Sequence, residues 1–286
     1  MPRSLKPVIF AVCILGTVGA GASLSIEKLS VALAYRTFEV QASPVAVPRD
    51  AEALARGEHL LRITGCVDCH GEDLGGQVLL DDPGVVRVAA PNLTTGTGGS
   101  GATFTDTDFV RAIRYGVDRE NRGLWWMPVA TYGALTDADL GVIIGALGRR
   151  PPVDREVPRG RLGLGGRWRV ALRQMELIPP HDAPLPVPGE PGTTATYGAY
   201  LARVTGCHGC HGPTLKGSGE GPDAPSDLTP ASLGAWSEAD FVRAMRDGRR
   251  PDDSAIDPES MPWRRYAQMT DLELRALWTF LHALPG

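Results

Sequence analysis

Two stretches of this chain are near copies of each other, and that duplication limits the folds open to it. GEHLLRITGCVDCHG begins at Gly57 and GAYLARVTGCHGCHG at Gly198. The parallel continues downstream. PNLT (Pro91–Thr94) answers SDLT (Ser226–Thr229), and FTDTDFVRAIRYG from Phe104 answers WSEADFVRAMRDG from Trp236. A Met-Pro pair follows at Met127 and Met261, and each copy closes on a helical pattern, LTDADLGVIIGALGRRP or MTDLELRALWTFLHALP. One unit used twice is the simplest architecture that explains such an order. The spacing between matched motifs drifts only in connecting segments, where a change of length costs little closure entropy.

Within each unit the local signals are helical. Thr105 with Asp108, Ser237 with Asp240, Thr136 with Asp139 and Thr270 with Glu273 fit the capping box, in which a hydroxyl and an acid satisfy orphan backbone N–H groups. Behind each cap, apolar residues recur at three- and four-residue spacing, as in Leu140/Ile143/Ile144/Leu147 and Leu274/Leu277/Trp278/Leu281. A further helix precedes each cysteine motif, at about 51–64 and 194–205. No convincing alternating strand pattern is apparent, so the expected fold class is all-α, with three main helices per unit. The predicted organisation is an N-terminal segment (1–26), a spacer (27–49), unit one (50–152), a linker rich in Pro, Gly and Arg (153–193) and unit two (194–286). Leu162 to Ile178 of the linker is expected to hold a short helix packed across the two units.

Four of the five cysteines lie in two C-x-x-C-H motifs, Cys66-Val67-Asp68-Cys69-His70 and Cys207-His208-Gly209-Cys210-His211. That pattern attaches heme c. Two thiols one helical turn apart can bond both vinyl-derived carbons on one porphyrin edge, and the adjacent imidazole then lies over the iron. A zinc site wants four ligands where each motif offers three, and a thioredoxin-like pair wants a βαβ context that is missing. The expectation is therefore two covalently bound heme c groups, held by Cys66, Cys69, Cys207 and Cys210, with His70 and His211 as axial ligands. Met127 and Met261 occupy the same slot in each unit and are the candidates for the other axial position. Thioether ligation stabilises ferrous iron and raises the potential. The competing role for a methionine is to fill core space. Met175, Met245 and Met269 suit that role, being helical or unmatched in the repeat. His208 reads as a solvated position of the motif, and His59, His181 and His282 as surface or packing residues. Trp125, Trp126, Trp263, Tyr132 and Tyr266 cluster around the Met loops in sequence and are expected to wall the heme crevice.

The N-terminus carries Arg3 and Lys6, then no charge from Pro7 to Ile26, a run of about the 20 residues that span a bilayer. It is either a signal peptide cleaved near Ala20-Gly21-Ala22 or an uncleaved anchor. In both cases the rest of the chain is exported. The expected location is the periplasmic side of the bacterial cytoplasmic membrane, or the soluble periplasm after cleavage. Cys13 lies inside the run as a small hydrophobe. The net charge of −4 gives no electrostatic reason to expect nucleic acid as a partner.

Taken together, G-C-x-x-C-H-G, P-N-L-T, W-S-x-x-D-F-V-R-A-x-R-x-G, M-P and a final L-x-x-L-P resemble the class I cytochrome c domains of membrane-associated multi-heme cytochromes. The cytochrome subunits of bacterial alcohol, gluconate and aldehyde dehydrogenases are among the proteins the chain resembles. The resemblance covers roughly Asp50 to Pro152 and Thr194 to Gly286. Those subunits usually carry three such domains, where this chain carries two motifs. The resemblance implies two tandem class I domains, with the PNLT and SDLT loops against the heme. It also implies electron transfer from a dehydrogenase catalytic subunit or quinol to a further cytochrome or oxidase. A diheme enzyme of peroxidase or thiosulfate-oxidising type is the alternative, and it would need a displaceable ligand on one iron.

Overall fold

The computed structural model describes residues 24–175, 177, 189–219 and 224–285. Most of the predicted export segment, with Cys13, and the linker run around His181 lie outside the described residues. Among the described residues no helix is long and apolar enough to cross a membrane.

Residues 24–34 form helix α1. The first unit then runs α2 (Ala51–Ile63), α3 (Cys66–His70), β1 (Gln77–Asp82), β2 (Val86–Ala90), α4 (Asp106–Val110), α5 (Val129–Tyr132) and α6 (Asp137–Leu147). A connecting layer follows, with β3 (Arg161–Leu162) and α7 (Leu164–Ala171). The second unit runs α8 (Ala195–Val204), α9 (Cys207–His211), α10 (Pro230–Leu233), α11 (Glu238–Asp247), α12 (Trp263–Tyr266) and α13 (Asp271–His282). The predicted caps explain where the main helices start. Full capping boxes close at Thr105/Asp108, Ser237/Asp240 and Thr270/Glu273. At Thr136 the hydroxyl still caps the backbone of Asp139, but the Asp139 carboxylate is turned to Arg56 and Tyr200.

In both units the first helix crosses the last, and the crossing is set by a glycine. A side chain at Gly57 would run into the carbonyl oxygen of Val142, and one at Gly198 into that of Ala276. Backbones pass this closely only where there is no Cβ. Around the crossings lies one apolar cluster that takes in Leu60, Leu61, Ile143 and Ile144 from the first unit and Tyr200, Leu201, Leu274 and Leu277 from the second. In unit one, α4 passes into a π-helical turn, Arg111–Tyr115, that ends on left-handed Gly116. In unit two the matching helix α11 continues to Asp247 and ends on left-handed Gly248. The second arginine of each F-V-R-A-x-R motif ties this helix to the start of the last one. Arg114 donates to Asp137 (2.6 Å) and to the Leu135 carbonyl (2.8 Å). Arg246 donates to Asp271 (2.8 Å) and to the Ala267 carbonyl.

Two expectations are corrected. The fold is not purely helical, because β1, β2 and β3 form an antiparallel sheet in that order. Asp82 turns the β1–β2 hairpin by accepting from the backbone N–H of Gly84 and Val85. Along β2, Val86, Val88 and Ala90 alternate inward, a pattern too short to stand out in the sequence. Second, the linker helix α7 forms, but it packs on this sheet and α1 rather than across the units. Its Val170 joins Ala34, Val86, Val88 and Leu162 in a separate small core. The described parts of the two connecting segments also pack on the first unit. Ala42, Val45 and Val47 of the spacer pack on the main core, and in the linker the Val153 and Arg155 carbonyls accept from Asn92 Nδ2.

Candidate functional site

Each cysteine motif is a single helical turn entered through a left-handed glycine, Gly65 (φ 82°) before α3 and Gly206 (φ 87°) before α9. That conformation carries a steric cost for residues with a Cβ, and it lets the chain leave α2 or α8 and begin the motif at once. The threonine before each glycine repeats its contacts. Thr64 Oγ1 donates to the Leu60 carbonyl (2.7 Å) and lies 3.5 Å from Cys66 Sγ. Thr205 Oγ1 donates to the Leu201 carbonyl (2.8 Å) and lies 3.7 Å from Cys207 Sγ. With its proton committed to the helix end, each hydroxyl is left to accept from the thiol. All four motif thiols are free. Burial pushes the Cys66 thiol up to about 11, outweighing the Thr64 hydrogen bond. Burial also raises Cys207, with Thr205 and Arg265 pulling the other way.

The two motif histidines are held alike. His70 Nδ1 lies 2.8 Å from the Pro91 carbonyl, and His211 Nδ1 lies 2.7 Å from the Ser226 carbonyl. A carbonyl can only accept, so each Nδ1 carries a proton; in the neutral ring Nε2 then keeps its lone pair, the arrangement a metal-binding imidazole needs. Burial lowers the His70 pKa against the opposing pull of Pro91, which keeps that ring neutral. PNLT and SDLT are therefore the loops that orient these histidines. Behind the motifs, Tyr132 and Tyr266 are buried and donate from Oη to the Thr64 and Thr205 carbonyls, both at 3.2 Å.

Met127 and Met261 each stand before a proline that caps a short helix, α5 or α12. Both are partly buried against the main core. Met245 and Met269 are buried in that core and Met175 packs on the smaller one, as expected of space-filling residues. The aromatic cluster divides. The two tyrosines back the motifs, whereas Trp125 donates Nε1 to the Ala34 carbonyl (2.8 Å) and Trp126 is exposed. Trp263 donates to the Ile256 carbonyl (3.0 Å). His208 lies on the motif surface near the Pro213 carbonyl (3.2 Å). His282 packs against Trp278, with ring centroids 3.5 Å apart and the planes tilted by 43°.

One residue here was not anticipated from the sequence. Arg265, on α12 of the second unit, donates from Nη1 to Asp68 of the first motif at 2.9 Å. Its Nη2 reaches the Tyr266 hydroxyl (2.7 Å) and the Thr205 carbonyl (3.4 Å) of the second. Its positive charge opposes the burial that raises both Cys69 and Cys207, so one guanidinium acts on both motifs. The first unit has Thr131 at the matching position. Asymmetry between the copies was the signal that could have drawn notice to it.

Among the described residues no group of three or more His, Cys, Asp or Glu is placed to hold a metal ion. The motif residues suit a larger group: paired thiols within one turn, and an imidazole with Nε2 free. Heme c takes such a set, through two thioethers and one axial nitrogen.

Residues 195–285 match the family model for cytochrome c. A cytochrome c domain is thus present in the second unit, and that family implies covalently bound heme c and heme-based electron transfer. No curated protein matches the chain.

Proposed function

We propose that the protein is a diheme c-type cytochrome and that both units are class I cytochrome c domains, the second being the one the family model matches. The observation that carries this reading is the repeated histidine geometry, with Nδ1 of His70 and of His211 each given to the first carbonyl of a matched loop. Cys66 and Cys69 would hold one heme, Cys207 and Cys210 the other. His70 and His211 would be the axial nitrogens, with Met127 and Met261 the sulfur ligands. Bound heme supplies a one-electron ferric–ferrous couple, and the chain holds, orients and tunes it. The Pro91 and Ser226 carbonyls fix the imidazoles. Tyr132 and Tyr266 fix the turn that carries the thiols. The buried helix crossings keep water from the inner faces of the motifs. The protein would pass electrons from a dehydrogenase catalytic subunit or quinol to a downstream cytochrome or oxidase, at the periplasmic side of the cytoplasmic membrane.

Mass spectrometry of exported protein tests the count. The expected mass is the chain plus two hemes, and one heme or none would overturn the reading. Cys69→Ala should remove stable heme from the first unit and leave the second loaded, because each unit has its own ligand set.

A further inference from the structure

With Leu272 as the exception, every large apolar side chain that is exposed among the described residues belongs to one region: α1 and its C-terminal turn, β1, α7, or Trp126 beside Trp125. That region is the layer around the small second core, formed by α1, α7 and the β1–β2 hairpin of the first unit. Helix α7 is its clearest element. Gly166 and Val170 face the sheet. Leu164, Trp168 and Leu172, spaced by four, form a ridge on the opposite side and are 70%, 36% and 54% exposed. Arg169 and Arg173 are exposed beside the ridge. On the other flank Arg167 pairs with Glu27 of α1 at 2.6 Å, so the two helices lie side by side. Helix α1 buries Ser30 and Ala34 and leaves Leu29, Val31 and Leu33 exposed. A helix apolar on most sides is normally enclosed by protein or by lipid.

We propose that this layer is a lipid-binding platform that lays α7 and α1 on an anionic bilayer surface. Two observations select lipid as the occupant. The charge-free run from Pro7 to Ile26 includes the first three residues of α1, so the layer is the part of the molecule continuous in sequence with the segment fit to enter a membrane. A Leu–Trp–Leu ridge edged by arginines also has the composition of a helix lying at the headgroup boundary, with its apolar side in the acyl region and its cations among phosphates. The platform would fix how the two repeated units stand over the membrane. It stands apart from the heme assignment, whose failure would show as missing heme mass in the same samples.

The test uses the full chain in vesicles of phosphatidylethanolamine and phosphatidylglycerol, with p-benzoylphenylalanine in place of Leu172. Irradiation should give phospholipid adducts at position 172 in the mass spectrum. It should give none when the photoreactive group replaces exposed Glu259 in the second unit. Arg169→Glu combined with Arg173→Glu should lower the adduct yield at least about fivefold, the weight of roughly one arginine at an anionic surface. Phosphatidylcholine vesicles should lower it likewise. Crosslinks to a second copy of the chain, an absence of lipid adducts at 172, or a yield unmoved by the charge reversals would each overturn the proposal.

Discussion

At the scale of single residues, the Cys and His of the proposed heme motifs stand out in the sequence because covalent attachment would demand fixed spacing: Cys66, Cys69 and His70 announce themselves, as do their copies. The methionines were legible only through duplication, since one Met-Pro in a loop carries no signal by itself. Their expected role gives a direct prediction. Met127→His should lower the potential of the first heme, because nitrogen in place of the soft thioether removes the preference for ferrous iron. It should also abolish that heme's sulfur-to-iron absorption band while leaving the second heme unchanged. A band that survives in both Met127→Ala and Met261→Ala would assign the two residues to packing. Arg265 was not legible, because its partner Asp68 is distant in sequence and belongs to the other unit. A cation beside both motifs favours an added electron on either, so Arg265→Gln should lower both potentials in a spectroelectrochemical titration. The same substitution should cost about 1.5–3 kcal/mol of stability, the worth of a hydrogen bond to a charged group. A shift confined to one heme would show that the charge acts on a single site.

At the scale of elements, the main helices were well foreseen because α2, α4, α6, α8, α11 and α13 each begin with a side chain that satisfies an orphan N–H group, and such caps are short-range chemistry. The sheet escaped because half of its pattern is hidden: β1 is exposed along its whole length, and only β2 alternates. The partners of α7 escaped for another reason. An amphipathic helix shows which face it buries but not against what. The glycines at the crossings belong to this scale too. Gly57 and Gly198 head the repeated stretch in both copies, yet their purpose appears only when α6 and α13 are seen passing over them. Adding one methyl group in a packed contact typically costs about 1–3 kcal/mol. Gly57→Ala and Gly198→Ala press that methyl into backbone rather than into a movable side chain, so each should fall at or above the top of that range. Denaturant titration with the heme bands as probe should show the loss. A midpoint unchanged within error would mean that the two helices can part without penalty.

At the scale of the whole molecule, the repeat is used to join the units as well as to build them. His59 and Tyr200 occupy matching places two residues beyond the crossing glycines, and Asp139 and Glu273 occupy matching places in the last helices. Tyr200 of the second unit donates to Asp139 of the first at 2.5 Å. His59 of the first lies 2.9 Å from Glu273 of the second. The contacts are thus exchanged reciprocally, as across a two-fold axis. Arg56 adds a second bond to Asp139 at 2.6 Å. Sequence inspection took His59 for an isolated surface or packing residue, because the two matched positions hold different residue types. The pairing sets how stability varies with pH. Burial alone would raise the Glu273 carboxyl, but the hydrogen bonds from His59 and the Thr270 backbone outweigh it and hold the group below its ordinary value. A carboxyl lowered by folding contributes stability that is complete above its unfolded pKa, near 4.3. That contribution is lost as pH falls through the folded value. Thermal melts should therefore show a steeper fall in Tm below about pH 4 for the wild type than for Glu273→Gln, which has no carboxyl there to protonate. At neutral pH the Gln variant should already melt lower, by the loss of one charged hydrogen bond across the junction. Equal acid slopes for the two proteins would show that the junction does not depend on this carboxylate.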